Sequence, residues 1–185
     1  GSAVPDSTEL RGQAVELVRA AHGAHPHLER LLESSGLAGG QSPRRAFRTL
    51  DTCLRLGPIG EESAGPLYLA GRYDPRVIAL RAYDPDLNEY AFADATGQTG
   101  HLGPQELADE FAPVDPGDFR VLATHRPEEL RRLVEDDPEA LLVGLCQAEG
   151  GRIEQARLKE RLVPRHLDAK AWSRWWTRAR AAAKK

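Results

Sequence analysis

The chain has 185 residues, enough to bury a hydrophobic core as one compact domain or as two or three small ones. Hydrophobic residues make up 41% and charged residues 29%, and no apolar run approaches the ~20 residues that a membrane-spanning helix needs, so a soluble protein is expected. The net charge of −3 conceals an asymmetry: residues 152–185 hold eleven Lys/Arg against Glu154, Glu160 and Asp168, a net of +8, which leaves −11 on the other 151 residues.

A basic end on an acidic body is the pattern of a chain that meets a polyanion or an acidic protein face at one end, although a solvated helix surface carries charge in the same way. Cys53 and Cys146 both sit in apolar helical patterns, and no CxxC pair is present to hold zinc. Free thiols in a reducing cytoplasm are expected, without a disulfide. The opening Gly-Ser reads as the remnant of a cleaved tag, so the natural termini are expected to lie elsewhere.

From Ser7 to Ser35 apolar residues recur at helical spacing. Leu10, Ala14, Leu17, Val18 and Ala21 form one stripe, and Leu28, Leu31 and Leu32 form a second after Pro26, which predicts two short helices, the first capped by Ser7. Gly36, Gly39 and Gly40 end the second. Ser42-Pro43 opens a third helix with Phe47, Leu50, Cys53 and Leu54 on one face, and Gly57-Pro58 stops it.

Between Leu67 and Leu122 the pattern changes to short runs divided by turn residues. Strands are predicted at Leu67–Ala70, Val77–Tyr83, Glu89–Asp94, around Thr99–Leu102 and at Phe119–Ala123, with a turn or two of helix over Pro104–Phe111 and a divider at Pro113–Gly117. Short strands this close together suggest a small, bent antiparallel barrel of the SH3-like type. The helical period returns at Pro127 and continues to Asp137-Pro138, which ends one helix and caps the next; that one covers Ala140–Ala148 and ends at Gly150-Gly151. A third helix covers Ile153–Leu162, and a last one, capped by Asp168, carries Trp172, Trp175 and Trp176.

The expected fold class is therefore α+β in three parts: an N-terminal helical segment over 6–57, an SH3-like β domain over 65–123, and a C-terminal domain of helix-turn-helix character over 127–183.

Three tryptophans in Trp172-Ser173-Arg174-Trp175-Trp176 cover one broad helix face, with Arg174 and Arg178 on the other. In a domain this small they are expected to supply the core, above all Trp172 and Trp176. Trp175 is the one expected to stay partly exposed, where an indole beside two arginines can stack on a base or a partner side chain. Arg165, Lys170, Arg174 and Arg178 are the candidate contacts to phosphates or carboxylates. Arg72, Tyr73 and Arg76, with Tyr68 and Arg81 nearby, are the candidate protein-contacting residues of the sheet; Tyr68 and Arg81 can equally flank the core.

His22, His25 and His27 invite a metal reading, but Pro26 breaks the helix between them and no Cys or acidic ligand is close in sequence, so an incidental role is expected. Glu135-Asp136-Asp137 reads as capping charge at a helix break. No GxSxG elbow, P-loop, HExxH or dinucleotide-binding GxGxxG occurs, and neither a cofactor, a small-molecule substrate nor catalysis is expected.

Asp137-Pro138-Glu139-Ala140-Leu141-Leu142, Glu149-Gly150-Gly151, Leu158-Lys159, Leu162-Val163-Pro164 and the run Trp172 to Arg180 together resemble the domain found ahead of the catalytic part in long Gre-type bacterial transcription elongation factors. Upstream, Leu50–Leu56, Gln105–Leu107 and Phe111–Leu122 are similar to the same pattern, so the resemblance covers roughly residues 45–182. It implies a transcription-associated module that contacts RNA polymerase, nucleic acid or both. Transcript cleavage is not implied, because that family cleaves with a long coiled coil bearing an acidic tip and no helical pattern here exceeds about twenty residues. The alternative is a DNA-binding helical domain fused to a peptide- or ligand-binding β domain, with no polymerase contact.

Overall fold

The computed structural model describes residues 7–57, 59 and 65–183. Pro58, expected to help stop the third helix, and Lys184 and Lys185 of the basic end lie outside the described residues, as does position 6. The fold is α+β and divides into two compact units, Gly1–Pro113 and Val114–Lys185.

The first unit opens with α1 (Ser7–His22), α2 (Leu28–Ser35) and α3 (Pro43–Leu56). α2 ends where Gly36 takes φ +68° and returns its N–H to the Glu33 carbonyl at 3.2 Å. A side chain there is doubly disfavoured, since its Cβ would also fall 2.2 Å from Cγ of Gln41. Ser42 caps α3 by accepting from the Arg45 N–H, and Pro43 occupies the first turn, where no donor is needed. Its buried stripe is Ala46, Leu50, Cys53 and Leu56. Phe47, expected on that face, is 47% exposed because the stripe turns one residue away from it. The stripe expected of α1 shifts in the same way: Ala14, Val15 and Val18 pack on the core, while Leu10 and Leu17 face outward.

Five strands follow: β1 (Leu67–Gly71), β2 (Val77–Asp84), β3 (Glu89–Asp94), β4 (Thr99–Leu102) and β5 (Phe111–Val114), with α4 (Pro104–Glu110) between the last two. The sheet order is β4-β3-β2-β1-β5. The first four strands form an antiparallel meander in which Leu69 opposes Ile78, Leu67 opposes Leu80, Leu80 opposes Phe92 and Tyr90 opposes Leu102. Period-2 alternation places these on one face, where Leu69, Ile78, Leu80, Tyr90 and Leu102 share a single core with Leu31 and Leu32 of α2, Leu50 and Cys53 of α3, and Leu107 of α4.

Two expectations change here. The N-terminal helices and the sheet, expected as separate parts over 6–57 and 65–123, bury one common core. The sheet is also open rather than closed into a barrel: β4 and β5 are its two edges and are not neighbours. A register shift between Leu80 and Ala82 makes Arg81 the extra residue of a bulge, with its side chain exposed.

The second unit is all helical: α5 (Phe119–Thr124), α6 (Pro127–Asp136), α7 (Pro138–Ala148), α8 (Gln155–Leu162) and α9 (Trp172–Ala182). Phe119–Ala123 is expected as the last strand, but residues 119–124 are helical. They form a helix because Asp118, 2% exposed, accepts from the Arg120 N–H at 2.8 Å as its cap and pairs with the Arg120 guanidinium. Asp137 caps α7 through the Ala140 N–H at 3.0 Å. Asp168, expected to cap α9, instead closes a turn by accepting from the Lys170 N–H at 2.7 Å, and the helix begins at Trp172. Phe119, Leu122, Leu130, Leu133, Leu141, Leu145, Leu158 and Leu162 close the core around the α9 tryptophans.

Candidate nucleic-acid and partner interface

The core stripe of α9 is Trp172, Trp175 and Ala179, at i, i+3 and i+7. Trp175, expected to be the exposed indole, is therefore 4% exposed, and Trp176 is the half-buried one, its ring parallel to Trp172 at 5.9 Å. A buried indole needs a partner for its N–H. Trp175 Nε1 donates to the Val134 carbonyl at 2.9 Å, and the Arg178 guanidinium donates to the same oxygen at 2.9 Å.

That oxygen lacks its ordinary donor for a reason written in the sequence. In a continuous helix the Val134 carbonyl would accept from the backbone of residue 138, which is Pro138 and has no N–H. α9 supplies the two missing donors from its side chains, and the positive guanidinium also suits the C-terminal end of α6.

Arg178 is thus partly committed to holding α9 against α6. The other candidates are not. Arg165, Lys170 and Arg174 are exposed and have no hydrogen bond or ion pair from their side chains among the described residues, and Arg180 is placed in the same way. The contrast with α8 is informative. Arg157 meets Glu160 at 3.3 Å and Glu149 at 3.7 Å, and Arg161 pairs with Glu149, so this part of the basic end is neutralised internally. Lys159 of α8 and Arg152 before it have no such partner among the described residues either, so uncompensated cations start just ahead of α8, with most of them on α9 and the turn that leads into it.

Beside them lies a groove of about 340 Å³. Val134 and Glu135 form its α6 wall, Arg174 and Arg178 its α9 wall, and Leu167, Ala171 and the edge of Trp175 its floor. His166, next to the groove floor in sequence, stacks edge-on against Phe119 at 5.7 Å; burial, with Arg165 beside it, pulls its pKa below the ordinary imidazole value.

In the first unit, the β1–β2 turn brings Arg72, Tyr73 and Arg76 together. Arg72 is tied by Nε to the Ala108 carbonyl at 3.0 Å and by its backbone N–H to the Glu110 carbonyl at 2.7 Å. Arg76 pairs with Asp74 at 2.8 Å and Glu110 at 3.1 Å and lies 5.3 Å from the Phe111 ring centre. The bond to Arg76 holds the Asp74 carboxyl below its ordinary pKa. Both arginines consequently brace the turn, and Tyr73, 84% exposed, is the side chain it presents to solvent. Tyr68 is 9% exposed, paired with Ala79 on the sheet face opposite Leu67 and Leu69.

Of the histidines of residues 22–27, His25 and His27 meet edge-on with ring centres 6.1 Å apart. His25 Nδ1 accepts from the His27 N–H at 3.2 Å, and among the described residues no three His, Cys, Asp or Glu side chains gather as a metal site. None of the helices among those residues is long and apolar enough to cross a membrane.

No curated protein and no solved structure matches the chain. Residues 120–185 match the GRAD helix-turn-helix domain, and every uncompensated cation of α9 and its leading turn lies inside that match.

Proposed function

We propose that this chain is a non-catalytic, transcription-associated module whose basic C-terminal end engages nucleic acid, in a setting where RNA polymerase is the larger partner. The observation that carries the reading is the segregation of charge within the matched domain. The α8 arginines are neutralised by Glu149 and Glu160, and although Lys159 and Arg152 stay unpaired, most of the cations without a carboxylate partner among the described residues, Arg165, Lys170, Arg174 and Arg180, lie on α9 and the turn before it. Helix-turn-helix domains use exposed cations of this kind to hold phosphates, and such contacts release counterions.

The polymerase part of the reading rests on the resemblance to the Gre-associated region and on the two short sheet edges, β4 and β5, where a partner strand can pair. Tyr73 at the neighbouring turn supplies an exposed aromatic anchor.

Two parallel measurements test it: retention of bacterial core RNA polymerase by the immobilised chain, and binding of duplex DNA across a salt series. The variant is Arg165→Glu/Lys170→Glu/Arg180→Glu, which leaves Arg178 in place because it closes the end of α6. The unmodified chain should retain polymerase at physiological salt. If each of the three cations meets a phosphate, the variant should flatten the salt dependence of DNA binding by up to about three contacts' worth of slope. DNA affinity and slope left unchanged by the variant would refute the assignment of the basic end. Absence of polymerase from the bound fraction would refute the transcription partner.

A further inference from the structure

We propose that the groove between the end of α6 and α9 is a docking site for a short acidic segment of a partner protein, anchored by one apolar side chain. The inference rests on the reading above only in taking the basic end as a contact surface; it assigns this part of it to protein rather than to nucleic acid.

The composition of the groove selects the occupant. Its floor is apolar, made by Leu167, Ala171 and the edge of Trp175, and its volume of about 340 Å³ suits one large aliphatic or aromatic side chain with its neighbours. Arg174 on one wall has no partner among the described residues, and Arg178 has donors beyond the one given to Val134. The opposite wall is the C-terminal end of α6, where Glu135 is followed by Asp136 and Asp137 and the helix dipole adds negative potential.

A phosphodiester backbone placed here would meet the arginines but leave the apolar floor empty. A peptide has separate groups for each surface. An apolar side chain fills the floor, a carboxylate reaches Arg174, and a backbone N–H or a basic side chain meets Glu135. Polyanions are thereby directed to Arg165, Lys170 and Arg180, outside the groove lining, and the two partners need not compete.

Fluorescence anisotropy at physiological ionic strength tests this with three labelled probes: a twelve-residue peptide of Asp, Glu and Ser with one central Leu, the same peptide with that Leu changed to Ser, and a twelve-nucleotide single-stranded DNA. The Leu peptide should bind about tenfold or more tightly than the Ser peptide, since burying one Leu is worth at least that factor. Ala171→Phe, which fills the floor, and Arg174→Glu, which reverses the wall, should each weaken the Leu peptide about tenfold. Both positions are exposed, and an unchanged tryptophan emission spectrum verifies folding. The indole N–H resonance of Trp175 should move on adding the Leu peptide and not on adding DNA.

Equal binding of the two peptides, no binding of the Leu peptide, or indifference to Ala171→Phe overturns the proposal. So does a DNA affinity that Ala171→Phe reduces while leaving the peptide untouched, which would give the groove to nucleic acid. Failure of the nucleic-acid reading shows elsewhere, as DNA binding indifferent to Arg165→Glu/Lys170→Glu.

Discussion

The Val134 carbonyl offers a sharp test of how α9 is held. Pro138 denies it a backbone donor, and Trp175 and Arg178 each supply one at 2.9 Å. Removing either donor leaves the other, so Trp175→Phe or Arg178→Met alone should cost about 1–2 kcal/mol, the worth of one hydrogen bond with a small packing change. Removing both leaves a carbonyl at the end of α6 without a partner, and the desolvation penalty for an orphaned acceptor adds about 1–3 kcal/mol. The double variant should therefore be destabilised by more than the sum of the singles. All three tryptophans lie in α9, so intrinsic fluorescence in a urea titration reports on the C-terminal unit alone, and Trp172 and Trp176 remain as reporters in every variant. Additivity within about 0.5 kcal/mol would show that water or relaxation satisfies the oxygen and would refute the shared-acceptor argument.

Gly144→Ala gives a second check on the same unit: its Cβ would fall 2.2 Å from the Gly117 carbonyl oxygen, so despite a helix-propensity gain of about 1 kcal/mol the net effect in the same titration should be a loss of at least 1–2 kcal/mol, approximately. The depressed pKa of His166 sets a pH dependence. A histidine kept neutral by folding contributes stability above its unfolded value of about 6.5, and that contribution is lost as pH falls through it, because the unfolded chain then binds the extra proton. The fluorescence midpoint should drop between pH 7 and 5.5, less steeply in His166→Gln; a midpoint that rises on acidification would contradict the burial argument. In the first unit, burial pushes the Cys53 thiol up to about 11, while Cys146 is half-buried, so a thiol reagent at pH 8 should modify Cys146 readily and Cys53 only on unfolding. Peptide mapping that finds Cys53 modified in the native protein would count against this core.

Long, periodic elements and their punctuation were legible in the sequence, and the reason is local. Ser42-Pro43, Asp137-Pro138 and Gly36 fix helix ends with their own atoms, so their effect does not depend on what packs nearby. The failures fall where local signals are ambiguous. Phe119–Thr124 is too short for its apolar run to show a period, since a strand and a helix turn would bury nearly the same side chains; the cap offered by Asp118 was the deciding signal. β5 was hidden by Pro113, which argues against a strand in a sheet interior but is tolerated at an edge, and an edge is where the topology places it.

The tryptophan assignment shows what distinguishes a readable site from an unreadable one. Trp172 begins two ladders along α9. One runs to Trp175 and Ala179, the other to Trp176 and Arg180, and only the first remains apolar for two turns. The longer apolar ladder is the one that buries Trp175. The hydrogen-bond partner of this indole could not be read so directly, because the vacancy that Pro138 creates falls on Val134, forty-one positions before Trp175. The commitment of Arg178 follows from that vacancy, and it separates this residue from Arg174 although both share a helix face and a charge. Substitutions meant to probe partner binding should therefore spare Arg178, since a loss of function there would report the anchoring of α9 to α6 as much as any contact outside the protein.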